Sequence, residues 1–164
     1  MPKLSLSKVL SPIAKAYTLP PACYVDEEIL AFEHGHLFAG GWVSAGRAGD
    51  LAQTGDYLAF TVADTPLIAI RGEDSGLRVF ANTCRHRGMR LVEPGRGHCS
   101  QFVCPFHGWC YRLDGSLAAA PRMGGADGFD PADFGLVQIP SEERAGFLFV
   151  NVDAKAPALD NWLG

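Results

Sequence analysis

Cys84-Arg85-His86-Arg87-Gly88 is followed, seventeen residues after His86, by Cys104-Pro105-Phe106-His107-Gly108-Trp109. Each stretch offers one thiolate and one imidazole from a short loop, 83–91 and 104–109, set between runs that read as strands. A two-iron, two-sulfide cluster takes four protein ligands, two per iron. Cys84, His86, Cys104 and His107 supply that number, with the thiolates on one iron and the imidazoles on the other. With one ligand of each kind per loop, two loops clamp a single cluster from opposite sides. Gly88 and Gly108, just past the histidines, are expected to let backbone N–H groups approach the sulfides without a Cβ in the way. The alternative is a Cys2His2 zinc site. Zinc patterns, however, pair cysteine with cysteine and histidine with histidine, and here the two types are interleaved. A purely structural role for all four is the remaining reading.

Working outward, the chain on both sides of these loops reads as β. Tyr57–Val62, Leu67–Arg71, Leu77–Asn82, Gln101–Cys104, Cys110–Leu113, Leu136–Ile139 and Phe147–Val152 are short runs rich in β-branched and aromatic residues. Turn signals separate them at Asp64-Thr65-Pro66, Gly72 to Gly76, Asp114-Gly115 and Glu142 to Gly146. Asp114-Gly115 is the strongest hairpin turn. Residues 119–135, with Pro121, Gly124, Gly125, Gly128, Pro131 and Gly135, read as a long surface excursion. Before the β region, Asp26-Glu27-Glu28 places acids at the positive end of a helix dipole. Ile29, Phe32, His36 and Leu37 follow at helical spacing, and Gly40-Gly41 closes a helix over 26–39. Residues 1–25 read as an irregular arm, 26–153 as one domain with sheets from 42 to 153, and 154–164 as a linker. Leu159, Trp162 and Leu163 near the end either fold back onto this domain or begin a further one.

Composition bounds the function. A hydrophobic fraction of 48% over 164 residues is enough for a core without disulfide staples. A net charge of -4 argues against nucleic acid as a partner. No apolar run reaches a membrane span and the N-terminus does not read as a secretory signal, so a cytoplasmic protein with no membrane partner is expected. The odd count of five cysteines favours ligands and buried thiols over a disulfide framework, and Cys23, Cys99 and Cys110 are expected to be free.

The two ligand stretches resemble those of Rieske non-haem iron oxygenases, the ring-hydroxylating type. The resemblance extends over roughly residues 26–163, through the helix before Trp42, Gly55-Asp56-Tyr57 and Phe147-Leu148-Phe149-Val150-Asn151. It implies an all-β fold: a Rieske antiparallel β-sandwich with a small cluster-binding subdomain and one N-terminal helix. It implies one 2Fe-2S cluster per chain and a role in moving single electrons. A reductase or ferredoxin would be the electron donor and an oxygenase catalytic domain the acceptor, in a trimer of the full-length protein. The ending near Leu163-Gly164 resembles the junction to that catalytic domain, which holds a mononuclear iron on two His and a carboxylate. His34, His36 and His98 are the histidines left over here, and they do not compose that set; no catalytic residue is assigned to this chain. A free-standing Rieske-type ferredoxin is the second functional reading, against which the helix before Trp42 and the apolar tail both argue.

The resemblance also sets expectations for neighbouring residues. Respiratory Rieske proteins carry a cysteine pair bridging the loops where this chain has Met89 and Phe106, and a serine where it has Trp109. Both differences predict a midpoint at the low end of the Rieske range. Tyr111 is placed to hydrogen-bond a ligand sulfur, or else to pack as a strand aromatic. Trp109 shields the cluster or belongs to the core. Arg85, Arg87, Arg90 and Arg96, opposed only by Glu93, form either a docking rim for an acidic redox partner or braces for the loop. The outer nitrogens of His86 and His107 are expected at the surface with no internal carboxylate.

Overall fold

The computed structural model describes residues 4–164, and its architecture turns on one doubly buried strand. β3 (Thr65–Arg71) carries Leu67, Ile68, Ala69 and Ile70, none with any exposed surface. Successive side chains of a strand point to opposite faces. Leu67 and Ala69 therefore enter one core, and Ile68 and Ile70 a second. The apolar run is continuous because both faces are covered. β4 (Leu77–Ala81) repeats the division, with Val79 in the first core and Phe80 in the second.

Five antiparallel strands make that central sheet, in the order β5 (Gly95–His98), β2 (Asp56–Val62), β3, β4 and β9 (Gln138–Ile139). Against its first face packs a three-stranded sheet of β1 (Trp42–Arg47), β11 (Phe147–Asn151) and β10 (Ser141–Arg144), closing a core that includes Leu51, Val62, Leu148 and Val150. Its second face meets a small sheet of β6 (Phe102–Val103), β7 (Cys110–Tyr111) and β8 (Leu117–Ala119). The result is an antiparallel sandwich with a subdomain inserted between β5 and β9, the all-β class expected from sequence.

Four strands lie outside the predicted set, β1 among them, which precedes the first predicted run at Tyr57. β5 reads Gly-Arg-Gly-His and forms by edge pairing with β2 rather than by burying apolar residues. A side chain at Gly97 would run into the Tyr57 ring, so the close pairing depends on glycine. β8 is too rich in alanine to read as a strand. β10 occupies most of the span predicted as a turn from Glu142 to Gly146. It pairs along β11, and the turn narrows to Ala145-Gly146, whose φ angles of 50° and 79° suit a tight hairpin.

The ends differ from expectation in a similar way. Asp26 caps α2 (Glu27–Glu33), its carboxylate accepting from the amides of Glu28 (2.8 Å) and Ile29 (3.4 Å). Regular helix does not continue to residue 39. From His34 to Phe38 the backbone widens into a π-type turn, which breaks the predicted stripe: Ile29 is buried and Phe32 half-buried, but His36 and Leu37 are exposed. The arm over 1–25 is not wholly irregular, since it contains a 3-10 turn at Ile13–Lys15 and α1 (Ala22–Val25); residues 1–3 of that span lie outside the described residues. The tail folds back. Leu159, in α3 (Leu159–Leu163), is fully buried. The Trp42 indole donates to the Pro157 carbonyl at 2.8 Å, and buried Asn151 accepts from the Ala156 amide at 3.1 Å. Among the described residues no helix is long and apolar enough to cross a membrane.

The Asp114-Gly115 hairpin joins the subdomain to the central sheet. Gly115 has φ +85°, and a Cβ on it would stand 2.5 Å from the Phe80 ring. Gly115→Ala combines a left-handed penalty of about 1–2 kcal/mol with overpacking of about 1–3 kcal/mol. A fall of that size in unfolding free energy is expected in urea titrations. An unchanged transition would show that the hairpin does not press on Phe80.

Candidate metal centre

The two ligand loops are built on one backbone plan. In the first, the Cys84 amide donates to the Met89 carbonyl (2.8 Å) and the Gly88 amide to the Cys84 carbonyl (3.0 Å). In the second, the Cys104 amide donates to the Trp109 carbonyl (2.8 Å) and the Gly108 amide to the Cys104 carbonyl (3.0 Å). Both glycines hold the left-handed conformation, with φ +73° and +71°. The Gly88 and Gly108 N–H groups are consumed inside the loops, and no protein atom lies within 4 Å of a Cβ built on Gly88. Positive φ by itself favours glycine at these positions.

These loops deliver the four side chains to one place. Cys84 and Cys104 are each 2% exposed and lie in the second core. The His86 and His107 rings meet edge to face at 4.7 Å. Each histidine has a buried Nδ1 with no hydrogen-bond partner in the protein. An imidazole nitrogen sealed from water and unpaired is costly, unless it is a metal ligand. Burial, then the proximity of His86, Arg87 and Arg122, pulls the His107 pKa down, which favours the neutral ring a ligand must be. Among the described residues no three His, Cys, Asp or Glu side chains converge on a point suited to one metal ion; a two-iron cluster instead divides its donors into two pairs. The donor set thus fits such a cluster. The outer sides of both histidines face a groove of about 520 Å³ shared with Arg87, Phe106, Pro121, Arg122 and Met123. No carboxylate lines that groove.

Other residues support this arrangement. Tyr111 is fully buried, accepts from the Arg85 amide at 2.9 Å and sits 3.3 Å from Cys84 Sγ. Since its oxygen already accepts from an amide, its proton is free for the sulfur. Burial, then the Cys84 hydrogen bond, raise the Tyr111 pKa, so the phenol stays protonated and able to donate. Both readings of Tyr111, packed aromatic and sulfur partner, describe it. Trp109 is 1% exposed and stacks on His86, so it is core and shield together. The excursion over 119–135 is not merely superficial, because its Phe129 and Phe134 close on Trp109. Asn82 went unrecognised in the sequence. It is 2% exposed, its Oδ1 accepts from the amides of Leu91 (3.0 Å) and Val92 (3.2 Å), and its Nδ2 donates to the Val92 carbonyl (2.8 Å). It thereby pins the end of the first loop to its beginning. A lone Asn at the end of a strand carries no signal of that contact.

The remaining candidates lie elsewhere. Arg90 pairs with Glu93 at 3.6 Å and Arg96 with Asp50 at 2.6 Å, so both act as braces, while Arg85 and Arg87 stay exposed at the rim. His98 pairs with Asp56 at 3.0 Å, His36 stacks on Phe32 at 4.1 Å, and His34 meets Phe38 edge-on at 5.8 Å. Cys23, Cys99 and Cys110 are free thiols.

Comparison with known proteins gives a consistent picture. A family model for the Rieske 2Fe-2S domain matches residues 41–139. The carnitine monooxygenase oxygenase subunit of Acinetobacter baumannii is 37% identical over 149 residues, which is 90% of this chain and 40% of that protein. The biphenyl dioxygenase alpha subunit of Paraburkholderia xenovorans is 34% identical over 154 residues, 89% of this chain and 34% of that protein. Among solved structures, naphthalene 1,2-dioxygenase from Rhodococcus sp. superposes with a TM-score of 0.85 at 30% identity, covering 97% of this chain and 37% of that one. The quaternary ammonium Rieske monooxygenase CntA superposes at 0.81 and 36% identity, over 90% of this chain and 43% of that one. The chain spans between 34% and 40% of the length of the two curated relatives described here.

Asn82→Ala tests the frame of the first loop. It strands two amides and a carbonyl, each costing about 1–3 kcal/mol when buried without a partner. A loss of roughly 3 kcal/mol in denaturant titrations is expected, with faster hydrogen exchange at the Leu91 and Val92 amides. Unchanged exchange there would show that Asn82 does not hold the loop.

Proposed function

This chain belongs to the Rieske 2Fe-2S domain family, and we propose that Cys84 and Cys104 hold one iron of its cluster, His86 and His107 hold the other, and the domain transfers single electrons. The observation that carries the assignment is the pair of buried, unpartnered Nδ1 atoms of His86 and His107 beside two buried thiols. When bound, the cluster supplies one-electron redox chemistry at a potential raised by its histidine ligands. The protein's own part is to position the donors, exclude water and hold protons in place. Buried Cys84 and Cys104 keep the thiolate side dry. Tyr111 donates to Cys84 Sγ, spreading the negative charge that grows on reduction.

The setting we favour is the electron-accepting domain of a Rieske oxygenase. Electrons would arrive from a reductase or ferredoxin and leave through the outer edges of His86 and His107 to a mononuclear iron in a catalytic domain, within a trimer. The relatives support this over a free-standing ferredoxin, because they are oxygenase subunits that share more than the ligand loops. They also widen the substrate class. Their names include carnitine as well as biphenyl, so an aromatic substrate is not favoured over a quaternary ammonium one.

Two measurements test the proposal. Purified, iron-replete protein should contain two irons and two acid-labile sulfides per chain, and Cys84→Ser or His107→Ala should lose most of both. Stoichiometric zinc without sulfide would defeat the assignment. The midpoint should lie toward the low end of the range of roughly -150 to +300 mV. Tyr111→Phe should lower it further, because the reduced state loses a sulfur hydrogen bond. A midpoint that holds or rises in a fully loaded Tyr111→Phe protein would show that the phenol does not donate to sulfur.

A further inference from the structure

All five cysteines are free, so no disulfide ties the first ligand loop to the second. The two side chains that flank Cys110 make the crossing instead. Trp109 and Tyr111 are two apart at the start of β7 and enter the same core, as a period of two requires. Tyr111 reaches Cys84, the thiolate of the opposite loop. Trp109 reaches His86, the imidazole of the opposite loop: the indole lies 4.8 Å from that ring, and the two planes differ by 9°. Trp109 is also fixed in its own loop, because its carbonyl accepts from the Cys104 amide at 2.8 Å. On its edges, Phe129 at 5.7 Å and Phe134 at 5.8 Å stand nearly perpendicular to it and hold it in place.

We infer that Trp109 is a positioning residue that sets the ring plane of His86 from the opposite loop. A metal–imidazole bond leaves the ring free to turn about its own axis, and a parallel aromatic face removes that freedom. The indole Nε1 is buried with no partner in the protein, an unfavourable feature that a phenyl ring in its place would lack. The flat face laid parallel to His86 is what the geometry shows the indole to contribute. His107 has no such clamp. Its flanking ring is Phe106, at 3.8 Å but tilted by 38° and 61% exposed. The two histidines are held unequally, His86 rigidly and His107 loosely.

The inference rests on the ligand assignment above, and the test separates the two. Trp109→Leu keeps apolar volume without a flat face, whereas Trp109→Phe keeps a flat face and removes the unpaired N–H. Pulsed EPR of the reduced protein resolves the couplings of the two ligand nitrogens. In the Leu variant one coupling should shift and broaden at least about twofold as the His86 ring samples more orientations, while the other keeps its value. The Phe variant should retain two sharp couplings. A Leu variant with full iron and sulfide and unchanged couplings would overturn the inference alone. Wild-type protein without iron and sulfide would overturn the ligand assignment and this inference with it. Should the Leu variant hold no iron, Phe134→Leu, which loosens Trp109 without replacing it, should broaden the same coupling to a lesser degree, and no change there would equally overturn the inference.

Discussion

The amide of each ligand cysteine donates to a carbonyl five residues on, Cys84 to Met89 and Cys104 to Trp109, and the rest of the molecule is arranged around those two closures. A loop closed in this way turns its cysteine inward and carries its histidine within the turn. The second hydrogen bond of each loop requires a left-handed residue, which is why Gly88 and Gly108 stand where they do. Neither loop would hold this shape in isolation, because a short closure gains little against the chain entropy it removes. Asn82 supplies one anchor, fixing Leu91 and Val92. The small sheet of β6, β7 and β8 supplies the other, by delivering Trp109 and Tyr111 across to the first loop.

That small sheet is itself secured by the two faces of β3. Ile68 and Ile70 belong to the same core as Cys84, Cys104, Trp109 and Tyr111, while Leu67 and Ala69 belong to the core of the sandwich. The metal centre and the scaffold therefore share a strand but not a core. A change in the sandwich core reaches the ligand loops through the backbone of strands that serve both cores, such as β3 and β4. The polar side of the centre is equally confined: the outer edges of both histidines open on one groove, whose charged lining is Arg87 and Arg122. Burial on the cysteine side and access on the histidine side give the site a direction.

Where expectation and structure differ, the cause is nearly always a partner distant in the chain. Gly95–His98 and Ser141–Arg144 lack the apolar alternation of strands because each lies at a sheet edge, where pairing supplies the backbone hydrogen bonds and little side chain is buried. The helical stripe of Ile29, Phe32, His36 and Leu37 fails because the π-type turn at His34–Phe38 rotates its second half away from the core. The excursion over 119–135 is rich in glycine and proline and reads as surface, yet Phe129 and Phe134 return to cover Trp109.

The sequence by itself singled out the four candidate donors and determined the sandwich class, the Asp114-Gly115 hairpin and the Asp26 cap. Each is written in residues a few positions apart, where spacing and local conformational preference suffice to specify the outcome. Only the tertiary structure decided that the His86 and His107 rings meet, that Tyr111 serves Cys84 rather than Cys104, that Asn82 anchors the first loop, and that Leu159 turns back into the fold. These contacts join residues that the chain brings together only after the sheets have formed. Their identity depends on register and on which face of β7 points inward, and neither is fixed by a residue's immediate neighbours.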